Sequence, residues 1–174
     1  MRNAGYGRIL MTTSSSGLFG NFGQANYGAA KMGLIGLMNV LHLEGVKHDI
    51  RINALGPGAA TRMTQDLLPK EFSDLMTPES VAPAAVYLVG ENAPNRVILN
   101  ASAGGFSRTL IHETEGIFLP ENERTPEMIE ARFEALSDPS GQEVYTAGGQ
   151  IVMKFVGKAA AHAGMALPPR NKRA

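Results

Sequence analysis

The sequence contains no cysteine, which excludes a disulfide framework and a thiolate metal site and fits a reducing, cytoplasmic location. Net charge is absent as well, because sixteen lysines and arginines balance sixteen aspartates and glutamates. With no basic field to draw in nucleic acid or an anionic membrane, the expected partner is a small molecule or another protein. No uninterrupted apolar run approaches the roughly 18 residues of a membrane span, and Met1-Arg2-Asn3-Ala4-Gly5 has no apolar stretch of the signal-peptide kind. His42, His48, His112 and His162 show no metal-ligand spacing with carboxylates or with one another, so no metal is expected.

What remains is an ordinary globular composition, 44% hydrophobic and 18% charged over 174 residues, enough chain to bury a substantial core. Arg8 to Thr13 (RILMTT) is a short apolar run ending in Ser14-Ser15-Ser16-Gly17, the pattern of a buried parallel strand running into a loop. Little precedes that strand, so the chain reads as one opened in mid-domain. Gly17 to Ala25 is expected to be loop. From Asn26 to Val46 a proline-free stretch predicts a helix whose apolar residues wrap most of its circumference, and such a helix must be covered on two sides.

Ile50 to Leu55 (IRINAL) predicts a second strand, ended by Gly56-Pro57-Gly58, and residues 59–76 predict a variable loop with short helices. Thr77 is placed to cap a helix with Pro78 at its first position, running to Leu88. Arg96 to Asn100 (RVILN) is the third predicted strand, closed by Ala103-Gly104-Gly105. The fold class is therefore α/β, a parallel βαβαβ run with right-handed crossovers. Beyond Phe106 the pattern predicts an extended segment over 107–119, a capped helix from Thr125 to Leu136 and another from Gly149 to Ala163. The division is thus 1–106 and a partly helical extension, 107–174, with Arg170-Asn171-Lys172-Arg173 as a solvated tail.

Tyr27 and Lys31 are four residues apart near the start of the long helix, which stacks them on one face. A free phenol titrates near ~10, and an ammonium fixed close by favours the phenolate, which makes such a pair a usable acid and base at neutral pH. Four tyrosines and an ordinary lysine frequency near ~6% produce one such pair by chance in roughly one sequence in four, so the pair alone decides nothing. Ser14, thirteen residues before Tyr27 at the end of the preceding strand, adds a third polar group to the same junction.

Ser14 followed by Gly20-Asn21-Phe22-Gly23-Gln24-Ala25-Asn26-Tyr27-Gly28-Ala29-Ala30-Lys31 resembles the active-site segment of short-chain dehydrogenase/reductases, and Asn53, Pro57, Gly58 and Thr61 resemble the family's second signature. The resemblance spans residues 7 to 106. It implies the C-terminal half of a Rossmann-type, doubly wound parallel sheet without its N-terminal strands. It also implies an oxidoreductase interconverting a secondary alcohol and a ketone with NAD or NADP. In it Tyr27 would exchange the proton with the substrate oxygen. Lys31 would hold the nicotinamide ribose and make the phenol more acidic, and Ser14 would hydrogen-bond the reacting oxygen. Pro57, Gly58 and Thr61 would line the nicotinamide and its neighbouring phosphate, although Pro-Gly after a strand is also plain turn chemistry.

GNFGQANY, Arg62-Met63-Thr64-Gln65 and Pro78-Glu79-Ser80-Val81-Ala82-Pro83 further resemble the (3R)-hydroxyacyl-CoA dehydrogenase domain of peroxisomal-type multifunctional enzymes. That implies a 3-hydroxyacyl thioester as substrate; acyl-carrier-protein reductases share part of the pattern. Gly17, Gly20 and Gly23 do not make a dinucleotide fingerprint, because the close-approach glycine and the following acidic residue are missing. They are expected to let the loop pass under substrate or nicotinamide. The family's glycine-rich phosphate loop has no counterpart, nor does its catalytic asparagine. Residues 1–174 alone are therefore expected to bind nicotinamide negligibly and to leave the strand at Arg8 with an exposed edge. Gly28, Gly33 and Gly36 on the long helix either admit another backbone, joining copies through residues 26–46, or pack only against the sheet. A non-catalytic fragment acting as an oligomerisation partner is the competing reading.

Overall fold

The computed structural model describes residues 1–61 and 69–167. It forms two compact units, Met1–Leu110 and Ile111–Ala174. The Arg62-Met63-Thr64-Gln65 segment and the basic C-terminal run lie outside the described residues.

In the first unit, strand β1 (Gly7–Thr12) is followed by a short helix α1 (Ser15–Phe19), the long helix α2 (Ala25–Gly45) and strand β2 (Ile50–Gly58). A one-turn helix α3 (Lys70–Ser73), helix α4 (Ala82–Val89), and strands β3 (Ile98–Ser102) and β4 (Gly105–Thr109) complete it. The sheet order is β1-β2-β3-β4, with β1, β2 and β3 parallel and β4 antiparallel to β3. Helices cover both faces. Ile35 and Met38 of α2 pack with Ile50, Ile52, Ala54 and Ile98, and Ala84 and Leu88 of α4 pack with Leu55, Val97 and Ala101. This is the doubly wound arrangement expected from the βαβαβ pattern, since strands covered on both sides carry apolar residues at odd and even positions alike.

Two polar devices hold the layers in register. Asn53, at the centre of β2 with none of its surface exposed, donates from Nδ2 to the carbonyls of Leu88 (3.1 Å) and Pro94 (2.7 Å). Its Oδ1 accepts from the Val97 N–H at 3.0 Å, so one side chain ties the end of α4 and the entry to β3 to the middle strand. Near the start of β1, the Arg8 guanidinium donates to the carbonyls of Asp49 (2.7 Å), Glu91 (3.0 Å) and Gly90 (3.2 Å) and to the Asp49 carboxylate (3.2 Å). Its side chain is only 5% exposed, and the pair of loops after α2 and α4 converge on it.

Four expectations are corrected. The predicted loop 17–25 begins inside α1, which forms because Ser14 caps it, its hydroxyl accepting from the Ser16 N–H at 3.2 Å. Strand β2 continues through Pro57 to Gly58 instead of ending at Leu55; β1 stops opposite Leu55, so Pro57 has only β3 beside it, an edge position where proline is tolerated. Strand β3 starts at Ile98, because Arg96 takes a left-handed φ of 60°. The extended segment after Phe106 is the second arm of a hairpin, turned at Ala103 (φ 48°) and Gly104 (φ 80°). Thr77 caps as predicted, accepting from the Ser80 N–H, but over a 3₁₀ turn, Pro78–Ser80, that precedes α4.

The second unit contains α5 (Pro126–Ala131), α6 (Phe133–Leu136) and α7 (Gly148–His162). Thr125 caps α5 through the Met128 N–H at 3.3 Å, and the predicted 125–136 helix is interrupted at Arg132. The extended stretch 113–116 is tied to α7 by ion pairs of Lys154 with Glu113 and of Lys158 with Glu115. Among the described residues no helix is long and apolar enough to cross a membrane.

Candidate active site

The C-terminal tip of β1 and the first turns of α2 make one joint. The helix begins at Ala25, so Tyr27 and Lys31 fall one turn apart on the same face, and the Lys31 Nζ stands 5.6 Å from the centroid of the Tyr27 ring. The Lys31 ammonium donates to the Thr12 carbonyl at 2.9 Å, which fixes a long side chain that would otherwise be free to rotate. In return the buried Thr13 hydroxyl donates to the Lys31 carbonyl at 3.0 Å. Ser14 follows directly. As the N-cap of α1 it sits where the strand turns away from the sheet.

Two glycines bring α1 down onto α2. A Cβ on Gly17 would lie 2.7 Å from the Lys31 Cβ, and one on Gly28 would lie 3.2 Å from the Ser16 carbonyl oxygen. Gly17 thus serves packing and not a passage beneath a ligand. Gly20 (φ 84°) and Gly23 (φ 77°) are needed for their left-handed backbone, which turns the loop between α1 and α2. Phe19, the last residue of α1, is exposed, and Phe22 in that loop is fully so. Three residues before Tyr27, the Gln24 Oε1 is buried with no hydrogen-bond partner.

Pro57 and Gly58 line an open groove of about 960 Å³ at the C-terminal ends of β2 and β3, shared with Ser15, Phe19, Met76 and Ser102. Gly58 is required there, because its Cβ would come within 2.7 Å of the Ser102 Oγ, which donates to the Gly58 carbonyl at 2.7 Å. Ser14, Tyr27 and Lys31 are not among that groove's walls, and Thr61 is exposed at the edge of the described chain. Of the six residues singled out from sequence, the structure brings Tyr27 and Lys31 together beside the tip of β1, which Ser14 follows as the cap of α1, and Pro57 and Gly58 into a neighbouring groove.

Thr12 and Thr13 were missed by sequence reasoning. The available signal was two hydroxyl residues closing an otherwise apolar strand next to Ser14.

A serine-capped turn after a parallel strand, leading into a helix that carries tyrosine and lysine one turn apart, places the first unit among the doubly wound α/β domains with a Ser-Tyr-Lys joint. A family model described as short chain dehydrogenase matches residues 1–71, and that part of the chain is similar to that family. A Mycobacterium tuberculosis protein named as a short-chain type dehydrogenase/reductase is 46% identical over 144 residues, covering 82% of this chain and 50% of its own length. The mouse peroxisomal multifunctional enzyme type 2 is 38% identical over 159 residues, covering 87% of this chain and 22% of the enzyme. The solved full-length peroxisomal multifunctional enzyme type 2 of Drosophila melanogaster superposes with a TM-score of 0.79 at 30% identity, over 90% of this chain and 29% of that one. The chain spans half, or less than half, of the length of these relatives.

Proposed function

We propose that the chain carries the proton-transfer site of an NAD- or NADP-dependent oxidoreductase that interconverts a secondary alcohol and a ketone, with a 3-hydroxyacyl thioester as substrate. One observation carries the reading: the Lys31 ammonium is anchored to the Thr12 carbonyl and held 5.6 Å from the Tyr27 ring centroid. In this reading Tyr27 gives its hydroxyl proton to a carbonyl oxygen in reduction and takes it back from the alcohol in oxidation. Ser14 donates a hydrogen bond to the same oxygen and keeps it in line.

The donor set fits a nicotinamide ribose. Of its three N–H bonds, Lys31 uses one on Thr12, which leaves two for a pair of hydroxyls. Pro57 and Gly58 offer an open wall at the strand ends, where ligands of doubly wound sheets bind, and Thr61 is assigned the polar contact to the adjacent phosphate. When bound, the dinucleotide supplies or accepts the hydride. The thioester assignment rests on the GNFGQANY segment and on the likeness to the peroxisomal multifunctional enzymes. A cytoplasmic site of action belongs to the same reading.

We also assign α2 to an interface between copies. Met32, Leu37, Val40 and Leu43 are exposed along it, and Gly33 and Gly36 have nothing within 4 Å of where a Cβ would stand. These two glycines therefore do not serve packing against the sheet.

The test is Tyr27→Phe in the protein as the cell makes it, followed by nicotinamide absorbance with a 3-hydroxyacyl-CoA. Turnover should fall by about 10²-fold or more, with dinucleotide affinity nearly unchanged. Full activity in the variant removes Tyr27 from the chemistry, and a wild type without turnover favours the non-catalytic partner reading.

A further inference from the structure

The second unit contains a groove that the Ser-Tyr-Lys joint does not use. It has a volume of about 530 Å³, within the roughly 300–1,000 Å³ of small-molecule sites. Ile117, Phe118, Leu119, Ile129, Leu136 and Phe155 supply its apolar surface, and Lys154, Lys158 and Arg124 its cations.

The three cations are not equivalent. Lys154 donates to the Glu113 carboxylate (2.6 Å) and the Thr114 carbonyl (2.9 Å). Lys158 pairs with Glu115 and reaches the Gly116 carbonyl at 3.3 Å. Both lysines are therefore neutralised, and their work is to tie the 113–116 wall to α7, so that the groove is formed without a ligand.

Arg124 has no such partner. Its Nε donates to the Leu119 carbonyl at 3.1 Å and its guanidinium carbon lies 5.8 Å from the Phe118 ring centroid. Among the described residues no carboxylate pairs with it, and its terminal nitrogens make no hydrogen bond. An apolar trough with one uncompensated, backbone-anchored guanidinium at its rim is complementary to a chain of methylenes ending in a planar anion, and the fork of N–H groups matches a carboxylate.

We propose that this groove binds a linear aliphatic carboxylate, a free medium- or long-chain fatty acid, with the carboxylate on Arg124 and the tail along Ile129, Leu136 and Phe155. The site belongs to the second unit alone and does not depend on the oxidoreductase reading.

The test is calorimetric titration of the full chain with decanoate, hexanoate, decanol and decanoyl-CoA. Decanoate should bind at one site, and hexanoate, shorter by four methylenes, at least about tenfold more weakly. Arg124→Gln should weaken decanoate about tenfold and leave decanol unchanged, whereas Ile129→Asp should weaken both. Far-UV circular dichroism of each variant checks that the helices are retained. The proposal is overturned if decanoate does not bind, if Arg124→Gln leaves its affinity unchanged, or if decanoyl-CoA binds with no dependence on Arg124 while decanoate does not.

Discussion

Gly17 packs against Lys31 so closely that a methyl group on Gly17 would lie 2.7 Å from the Lys31 Cβ and 3.0 Å from the Met32 backbone nitrogen. Two effects oppose each other when Gly17 becomes alanine. Helix propensity favours alanine by about 1 kcal/mol, while overpacking costs about 1–3 kcal/mol. The obstruction is largely backbone of α2, which cannot rotate away, so the second effect wins. Gly17→Ala should lower stability in a urea titration by about 1 kcal/mol or more, and it should also reduce turnover by displacing Ser14 from the joint. A stabilised variant would mean that α1 is free to lift off α2.

Gly33 and Gly36 on the same helix make the opposite case, since each has open space where a Cβ would stand. Gly33→Ala and Gly36→Ala should each stabilise an isolated protomer by about 0.5–1 kcal/mol. If copies associate through α2, the same methyl groups stand between the helices and the association should weaken. Sedimentation at several concentrations, alongside urea midpoints, separates the two effects; unchanged association would place the interface elsewhere.

Asp49 links the ends of β1 and β2. Hydrogen bonding from Arg8, reinforced by Arg51, holds its carboxyl below the usual carboxylate range. A depressed value means that the contribution to stability is present above the unfolded-state value, near ~3.9, and is lost as pH falls through the folded-state value. Asp49 also has a left-handed φ of 45°, a conformation that asparagine tolerates. Asp49→Asn therefore removes the charge while keeping the backbone. The variant should be less stable than wild type by the same margin at pH 7 and pH 5, and the margin should close below about pH 4. A margin that persists at low pH would show that shape and not charge is responsible.

The Tyr27-Lys31 pairing was legible because it needs only the helical period, and Ser14 because it closes an apolar run. The same holds for the three parallel strands, whose composition reports burial on two faces, and for the presence of the long helix, although only its sheet-facing side is buried here and Met32, Leu37, Val40 and Leu43 are exposed. Thr125 as a cap was readable from the residues beside it. Each of these is a local property, decided within about one turn or one strand.

The contacts that hold those pieces were not legible, because they join residues far apart in the chain. The Thr13 hydroxyl meets the carbonyl of Lys31, and Asn53 reaches Leu88, Pro94 and Val97. The hairpin after Ser102 escaped notice because Ala103-Gly104 takes left-handed conformations without the Asn-Gly or Asp-Gly pair that usually announces them. Periodicity and composition determined which residues could be buried, which could share a helix face and where strands begin. Only the packed tertiary structure decided which carbonyl receives the Lys31 ammonium, which glycine must lack a side chain and that Arg124 borders its groove with no carboxylate paired to it among the described residues. Those outcomes depend on distances between segments that approach one another only after the chain has closed.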